Sequence, residues 1–160
     1  MLHIQILCVG RIRERYLRDA IDEYTKRLGR YAQVTIREVA DEPAPERLSG
    51  ADMKKVKDRE GERLLEALPE RTYVIALAIR GRRYTSEQLS EHIDQLILRG
   101  NSSLTLIIGG SLGLSEAVLQ RSDEQWSFSD LTFPHQLMRV ILLEQLYRCM
   151  KILSHEPYHK

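Results

Sequence analysis

Two stretches combine residue types able to hold a small molecule or move a proton. In the first, the apolar run Leu104 to Ile108 leads straight into Gly109-Gly110-Ser111-Leu112-Gly113. Glycine lets backbone approach a ligand closely, so Gly109 and Gly110 can open a slot for a flat, adenine-bearing cofactor; the competing reading is an ordinary tight turn. The spacing G-G-x-x-G is not the dinucleotide fingerprint, and no Gly-Lys-Ser/Thr phosphate loop occurs. The second stretch is Phe133-Pro134-His135-Gln136. Proline holds Phe133 extended, and His135 falls in the first turn of a helix, where the positive dipole end favours a neutral imidazole. Arg139, four residues on, shares its face. The pair can bind a polar or anionic group, or Arg139 can pair with a carboxylate such as Glu144.

The chain ends His155-Glu156-Pro157-Tyr158-His159-Lys160. Termini usually fray, but a long helix just before this one can hold it in place. Tyr158 can then stack on a base and Lys160 can meet phosphate. Basic clusters at Arg11 to Arg15, Lys26 to Arg30 and Arg80 to Arg83 read mostly as solvated surface. The last follows a strand end and so faces any ligand held there.

Strand and helix patterns alternate from end to end, which predicts one α/β domain over 1–160, its sheet mostly parallel and covered by helices on both faces. Strands are expected at Ile4 to Val9, Val34 to Val39, Thr72 to Ile79, Leu104 to Ile108 and Gln125 to Phe128. Helices are expected over Glu14 to Leu28, Ala51 to Leu68, a stretch opened by the Thr85/Gln88 capping box, Ser115 to Gln120, and from Pro134 at a first helical position to Leu153. Ligands in open parallel sheets bind beyond the carboxyl ends of the strands. Three such ends stand out: Leu77 to Gly81, Ile108 to Gly113 and Phe128 to Phe133. The last helix is apolar on more than one face, a surplus that predicts burial against a second subunit.

Composition is globular, with 42% hydrophobic and 29% charged residues. The formal net charge of +1 lacks the basic excess of a freestanding nucleic-acid binder, so any RNA must be met by a local patch, a dimer surface or a larger ribonucleoprotein. Cys8 and Cys149 are the only cysteines; they read as core residues of a protein in a reducing compartment and exclude a four-cysteine zinc site. Met1 to Leu7 has no basic stretch ahead of an apolar one, and no apolar run reaches the length of a membrane span. A cytoplasmic protein is expected.

Taken together, Ile107-Ile108-Gly109-Gly110-Ser111-x-Gly113, Ser127-Phe128-Ser129, Thr132-Phe133-Pro134-His135-Gln136-x-x-Arg139, Glu144-Gln145-x-Tyr147-Arg148 and Tyr158-His159-Lys160 resemble the RlmH family of small SPOUT-class rRNA methyltransferases. Val9-Gly10, Tyr24-x-x-Arg27-Leu28, Asp41-Glu42 and Gly61 extend the resemblance over the whole chain. It implies a C-terminal trefoil knot, an exception to the rule that chains avoid knots, and a homodimer. It also implies S-adenosyl-L-methionine as cofactor and N3 of a pseudouridine in 23S rRNA, on the assembled ribosome, as the methyl acceptor. Leu77, Gly109 and Phe128, Ser129, Asp130, Leu131, Thr132 and Phe133 are the implied cofactor positions, with His135, Arg139, Tyr158 and His159 as candidates for positioning the base. No metal is implied. Direct methyl displacement needs alignment of donor, methyl and acceptor rather than a nucleophile. Rival readings are a related knotted methyltransferase acting on tRNA or another rRNA base, and a non-catalytic ribosome-binding factor.

Overall fold

Period-two alternation in the first strand decides how the layers form. The computed structural model describes residues 1–160, and in it β1 (Leu2–Val9) sends Ile4, Ile6 and Cys8 to one side and Leu7 and Val9 to the other. Each set enters a different core, so β1 is buried on both faces, as an interior parallel strand must be. A fully buried Ile or Leu contributes about 1.5–3 kcal/mol, which makes this strand a large share of the driving force.

The remaining elements follow in alternation: α1 (Arg15–Leu28), β2 (Ala32–Val39), α2 (Gly50–Glu66), β3 (Tyr73–Arg82), α3 (Ser86–Leu98), β4 (Ser103–Ile108), α4 (Glu116–Arg121), β5 (Glu124–Trp126) and α5 (His135–Leu153). The five strands form one sheet in the order β2-β1-β4-β3-β5, every pairing parallel. Helices α1, α3 and α5 bury Ile21, Leu28, Leu89, Ile93, Leu142 and Leu146 with the first core; α2 and α4 bury Leu64 and Val118 with the second. The α/β architecture with helices on both faces is therefore as expected.

Three of the element ends that differ from the sequence reading bear on the site. Strand β3 runs on to Arg82, because Ser127 N–H donates to the Arg82 carbonyl (2.9 Å) and Arg82 pairs with Trp126 again after an irregularity. Strand β5 stops at Trp126, so Phe128 leaves the sheet and is free to line a cavity. Pro134 sits at the N-cap of α5, its carbonyl accepting from Met138 N–H (3.0 Å), rather than at the first helical position. Helix α3 begins as predicted, with both arms of the Thr85/Gln88 box formed. Beyond α5 the chain reverses at His155 (φ +55°), and the tail runs back along the helix. No helix is long and apolar enough to cross a membrane.

Candidate active site

The carboxyl ends of β3, β4 and β5 enclose a cavity of about 620 Å3, within the usual range for a small-molecule site. Leu77, Gly109, Phe128, Ser129, Leu131, Thr132 and Phe133 all line it. Asp130 does not: its carboxylate points to solvent and meets Arg83 at 2.8 Å. Sequence reasoning missed Trp126 and Met138, which also contribute walls; an apolar side chain next to a motif carries no signal of its own. The lining contains no Asp, Glu, Lys or Arg.

Local chemistry shapes both loops. An added Cβ on Gly109 would lie 2.9 Å from the Gly113 carbonyl carbon and 3.0 Å from its oxygen, so only glycine lets the Gly109–Gly113 loop fold back on itself. Gly113 N–H closes the turn on the Gly110 carbonyl (3.1 Å). Opposite, Ser127 Oγ donates to the Ser129 carbonyl (3.2 Å), and Ser129 Oγ accepts from Leu131 N–H (2.9 Å). Those two hydroxyls brace the Phe128–Leu131 stretch and explain its serine spacing.

His135 stands at the edge of this cavity and also lines a second one, of about 650 Å3, at the carboxyl ends of β1 and β2. Burial lowers the pKa of its imidazole, the Arg139 guanidinium lowers it further, and Asp41 acts the other way. The expected neutral imidazole thus has burial as its main cause. Arg139 itself faces neither cavity. It is 1% exposed, pairs with Glu38 at 2.6 Å and donates to the carbonyls of Gly10 (2.8 Å) and Val9 (3.2 Å). It clamps the end of β1 to β2, while Glu144 pairs with Arg148 instead.

The tail is tied down on another side of α5. Glu156 accepts from Tyr31 Oη (2.8 Å) and Lys151 Nζ (3.1 Å). Tyr158 packs edge-on to Tyr147 at 4.9 Å, beneath the Arg148 guanidinium. His159 bridges Arg148 (3.1 Å) and Glu87 (2.6 Å). From His135 to Arg148 the helix rises about 20 Å, so within one protomer the tail and His135 do not meet.

Behind the glycine loop lies Glu60, 5% exposed, one oxygen accepting from Glu42 N–H (3.0 Å) and the other without a partner, facing Gly110. Burial raises its pKa. Cys8 and Cys149 are fully buried, and burial pushes each thiol up to about 12, which makes them packing residues rather than nucleophiles. No group of three His, Cys, Asp or Glu side chains is placed to hold a metal ion.

The family model described as "Predicted SPOUT methyltransferase" matches residues 2–159, and the chain belongs to that family of methyltransferases. A solved structure titled a probable methylase family protein from Haemophilus influenzae Rd KW20 superposes with a TM-score of 0.56 at 10% identity, over 98% of this chain and 70% of that one; it speaks for the fold alone. Closer in sequence, proteins named Ribosomal RNA large subunit methyltransferase H are 57% identical in Desulfitobacterium hafniense (strain DSM 10664 / DCB-2), over 100% of both chains. The same name is carried by a protein of Listeria monocytogenes serotype 4a (strain HCC23), 57% identical over 99% of this chain and 100% of that one. Such full-length identity makes this chain a member of the RlmH family whose motifs it carries.

Proposed function

We propose that the protein methylates N3 of a pseudouridine in 23S rRNA of the assembled ribosome, using S-adenosyl-L-methionine, as a cytoplasmic homodimer with the trefoil-knotted fold of its family. One observation carries this reading: a cavity free of charged side chains meets a polar cavity, and His135 is the one residue lining both. The relatives' name supplies the large-subunit RNA.

The residues present fit the cofactor. Leu77, Phe128 and Phe133 offer apolar walls to an adenine ring, Ser111 and Thr132 offer hydroxyls, and the Gly109–Gly113 loop brings backbone within reach. S-adenosyl-L-methionine supplies a methyl group on a positively charged sulfur. With no carboxylate in its lining, the cavity gives that charge no fixed partner, which favours a displacement that removes it. On the other side, an N3–H must lose its proton, and a neutral His135 is poised to accept it.

Tyr158 and His159 belong to the same reading only if they come from the other protomer, because their own His135 lies about 20 Å away along the helix. The exposed apolar side chains of Ile79, Leu131 and Leu137 at and beside the cavity mouth offer a surface for that second copy. The test is methyl transfer from labelled S-adenosyl-L-methionine to ribosomes lacking the modification, with free rRNA and tRNA assayed alongside. Labelling of ribosomes alone is expected; preferential labelling of tRNA overturns the assignment.

A further inference from the structure

We propose that the polar cavity at the ends of β1 and β2 seats the acceptor nucleotide, with Arg11 and Arg13 holding its phosphates and Asp41 supporting His135 as proton acceptor. The proposal rests on the reading above and gives the acceptor a place on this chain.

Only two of the ten lining residues of this cavity are hydrophobic, so it suits a charged, hydrated group and not a second adenine-bearing ligand. Its charges are not all committed. Glu38 is taken by Arg139 and by the Ile12 N–H. Arg11 and Arg13 take part in none of the chain's ion pairs. They flank Ile12, which is 5% exposed and fixed by Arg18 donating to its carbonyl at 2.7 Å. An irregular stretch with its middle residue buried turns the residues on either side outward, in alternation. Two guanidiniums two positions apart on an anchored segment make a fork suited to phosphate oxygens.

The floor between the arginines and His135 is Gly10. Its φ of +86° excludes most other residues, and an added Cβ would lie 4.0 Å from both Asp41 Cβ and His135 Nε2. Asp41 and His135 thus border the same bare stretch of backbone, and both line the cavity. The charged groups facing His135 are Arg139 on its own helix, Glu38 and Asp41 at the end of β2, and Arg11, Arg13 and Glu14 after β1. The ring N3–H proton passes to His135 Nε2, giving imidazolium, which Asp41 stabilises. The ring nitrogen keeps the electron pair and forms the N–C bond to the methyl, while the C–S pair returns to sulfur, leaving a neutral thioether. The imidazolium then loses its proton to water. Asp41 acts through His135 and is a positioning residue.

The experiment compares wild type, the Arg11→Ala/Arg13→Ala double variant and Asp41→Asn. The double variant is expected to raise KM for unmodified ribosomes about tenfold or more and to lower the salt slope of binding by about one per lost phosphate contact. Its calorimetric affinity for S-adenosyl-L-methionine stays that of wild type. Asp41→Asn is expected to lower kcat about tenfold and to move the acid limb of the pH–rate profile to lower pH, since the charge that raises the His135 pKa is gone. The NMR titration of the His135 ring in cofactor-free protein should move the same way. Millimolar pseudouridine 5′-monophosphate should shift that resonance in wild type and not in the double variant. Wild-type KM and salt slope in the double variant, or an unmoved pH profile in Asp41→Asn, overturns the proposal while ribosome methylation by wild type still stands. If wild type methylates no ribosomes, the failure lies with the proposed function, and the nucleotide titration still decides whether the cavity binds.

Discussion

Replacing Arg139 by methionine separates a clamp from a group that touches substrate. Methionine fills much of the same volume, so the loss is mainly polar. The ion pair to Glu38 and the donations to the Gly10 and Val9 carbonyls disappear together. Hydrogen bonds from a charged donor are worth about 1.5–3 kcal/mol each, and breaking a buried pair costs about 3–5 kcal/mol. These overlap rather than add, because Glu38 is 37% exposed and regains water. A net loss of about 3–5 kcal/mol, at about 2–4 °C per kcal/mol for a chain of this size, lowers Tm by about 6–20 °C. The same substitution removes the positive charge that helps hold the His135 pKa down, so the acid limb of the pH–rate profile moves to higher pH. Affinity for S-adenosyl-L-methionine, measured well below the new Tm, stays near wild type because Arg139 lines neither cavity. Calorimetric melting and a pH–rate series on ribosomes read both effects. A Tm within 2 °C of wild type, on that scale about 1 kcal/mol or less, would refute the clamp; an unmoved acid limb would refute its coupling to His135.

Gly109→Val forces a side chain into the Gly113 backbone, so cofactor binding is expected to vanish from calorimetry while far-ultraviolet circular dichroism keeps its wild-type shape; retained affinity counts against the loop as a binding element. Glu60→Gln is expected to raise Tm at pH 8 more than at pH 4. The raised pKa means that ionising Glu60 in the folded state subtracts stability as pH climbs through it, and a pH-independent difference in Tm would show that the burial is not felt. Deleting residues 158–160 removes the Tyr158–Tyr147 and His159–Glu87 contacts. It should cost a few degrees of Tm and about 10²-fold or more in ribosome turnover through lost positioning, with cofactor affinity unchanged; normal turnover would make the tail only a structural strap.

What the sequence made legible was whatever is encoded by neighbours in the chain. Ile4 to Val9, Thr85 with Gln88, and Gly109-Gly110 after a buried strand each announce themselves within a few residues. His135 was legible for the same reason, through the proline before it. Arg139 was not, because its partner Glu38 is 101 positions away and an arginine ordinarily reads as exposed. The far end of β3 was hidden too: Arg80-Gly81-Arg82 looks like a loop until Trp126 and Ser127 arrive to pair with it. The second cavity is assembled from the ends of β1 and β2 and the start of α5, so no local window contains it, and Asp41 figured only as one residue of the family resemblance.

A net charge of +1 leaves this chain little long-range attraction for RNA, so what matters is where its positive charge is left uncommitted. Arg27, Arg30, Lys54, Arg59, Arg63, Arg148 and Lys151 each face a carboxylate on the flanks of the molecule. Arg11, Arg13 and Arg80 have no such partner, and although Lys26, Arg47, Lys55, Lys57, Arg71 and Arg99 also lack one, these three line cavities at the carboxyl ends of the strands. The field of those three is local, screened beyond about 8–10 Å at physiological salt. It acts only after a surface has already docked, which suits a target presented by a preformed ribonucleoprotein better than a free strand that must be captured from solution. Adding charge on the flanks, for instance by neutralising Glu23 or Asp58, should therefore raise non-specific RNA affinity without raising kcat/KM on ribosomes. If such variants instead gain turnover, docking is driven by overall charge and the local placement of the arginines is incidental.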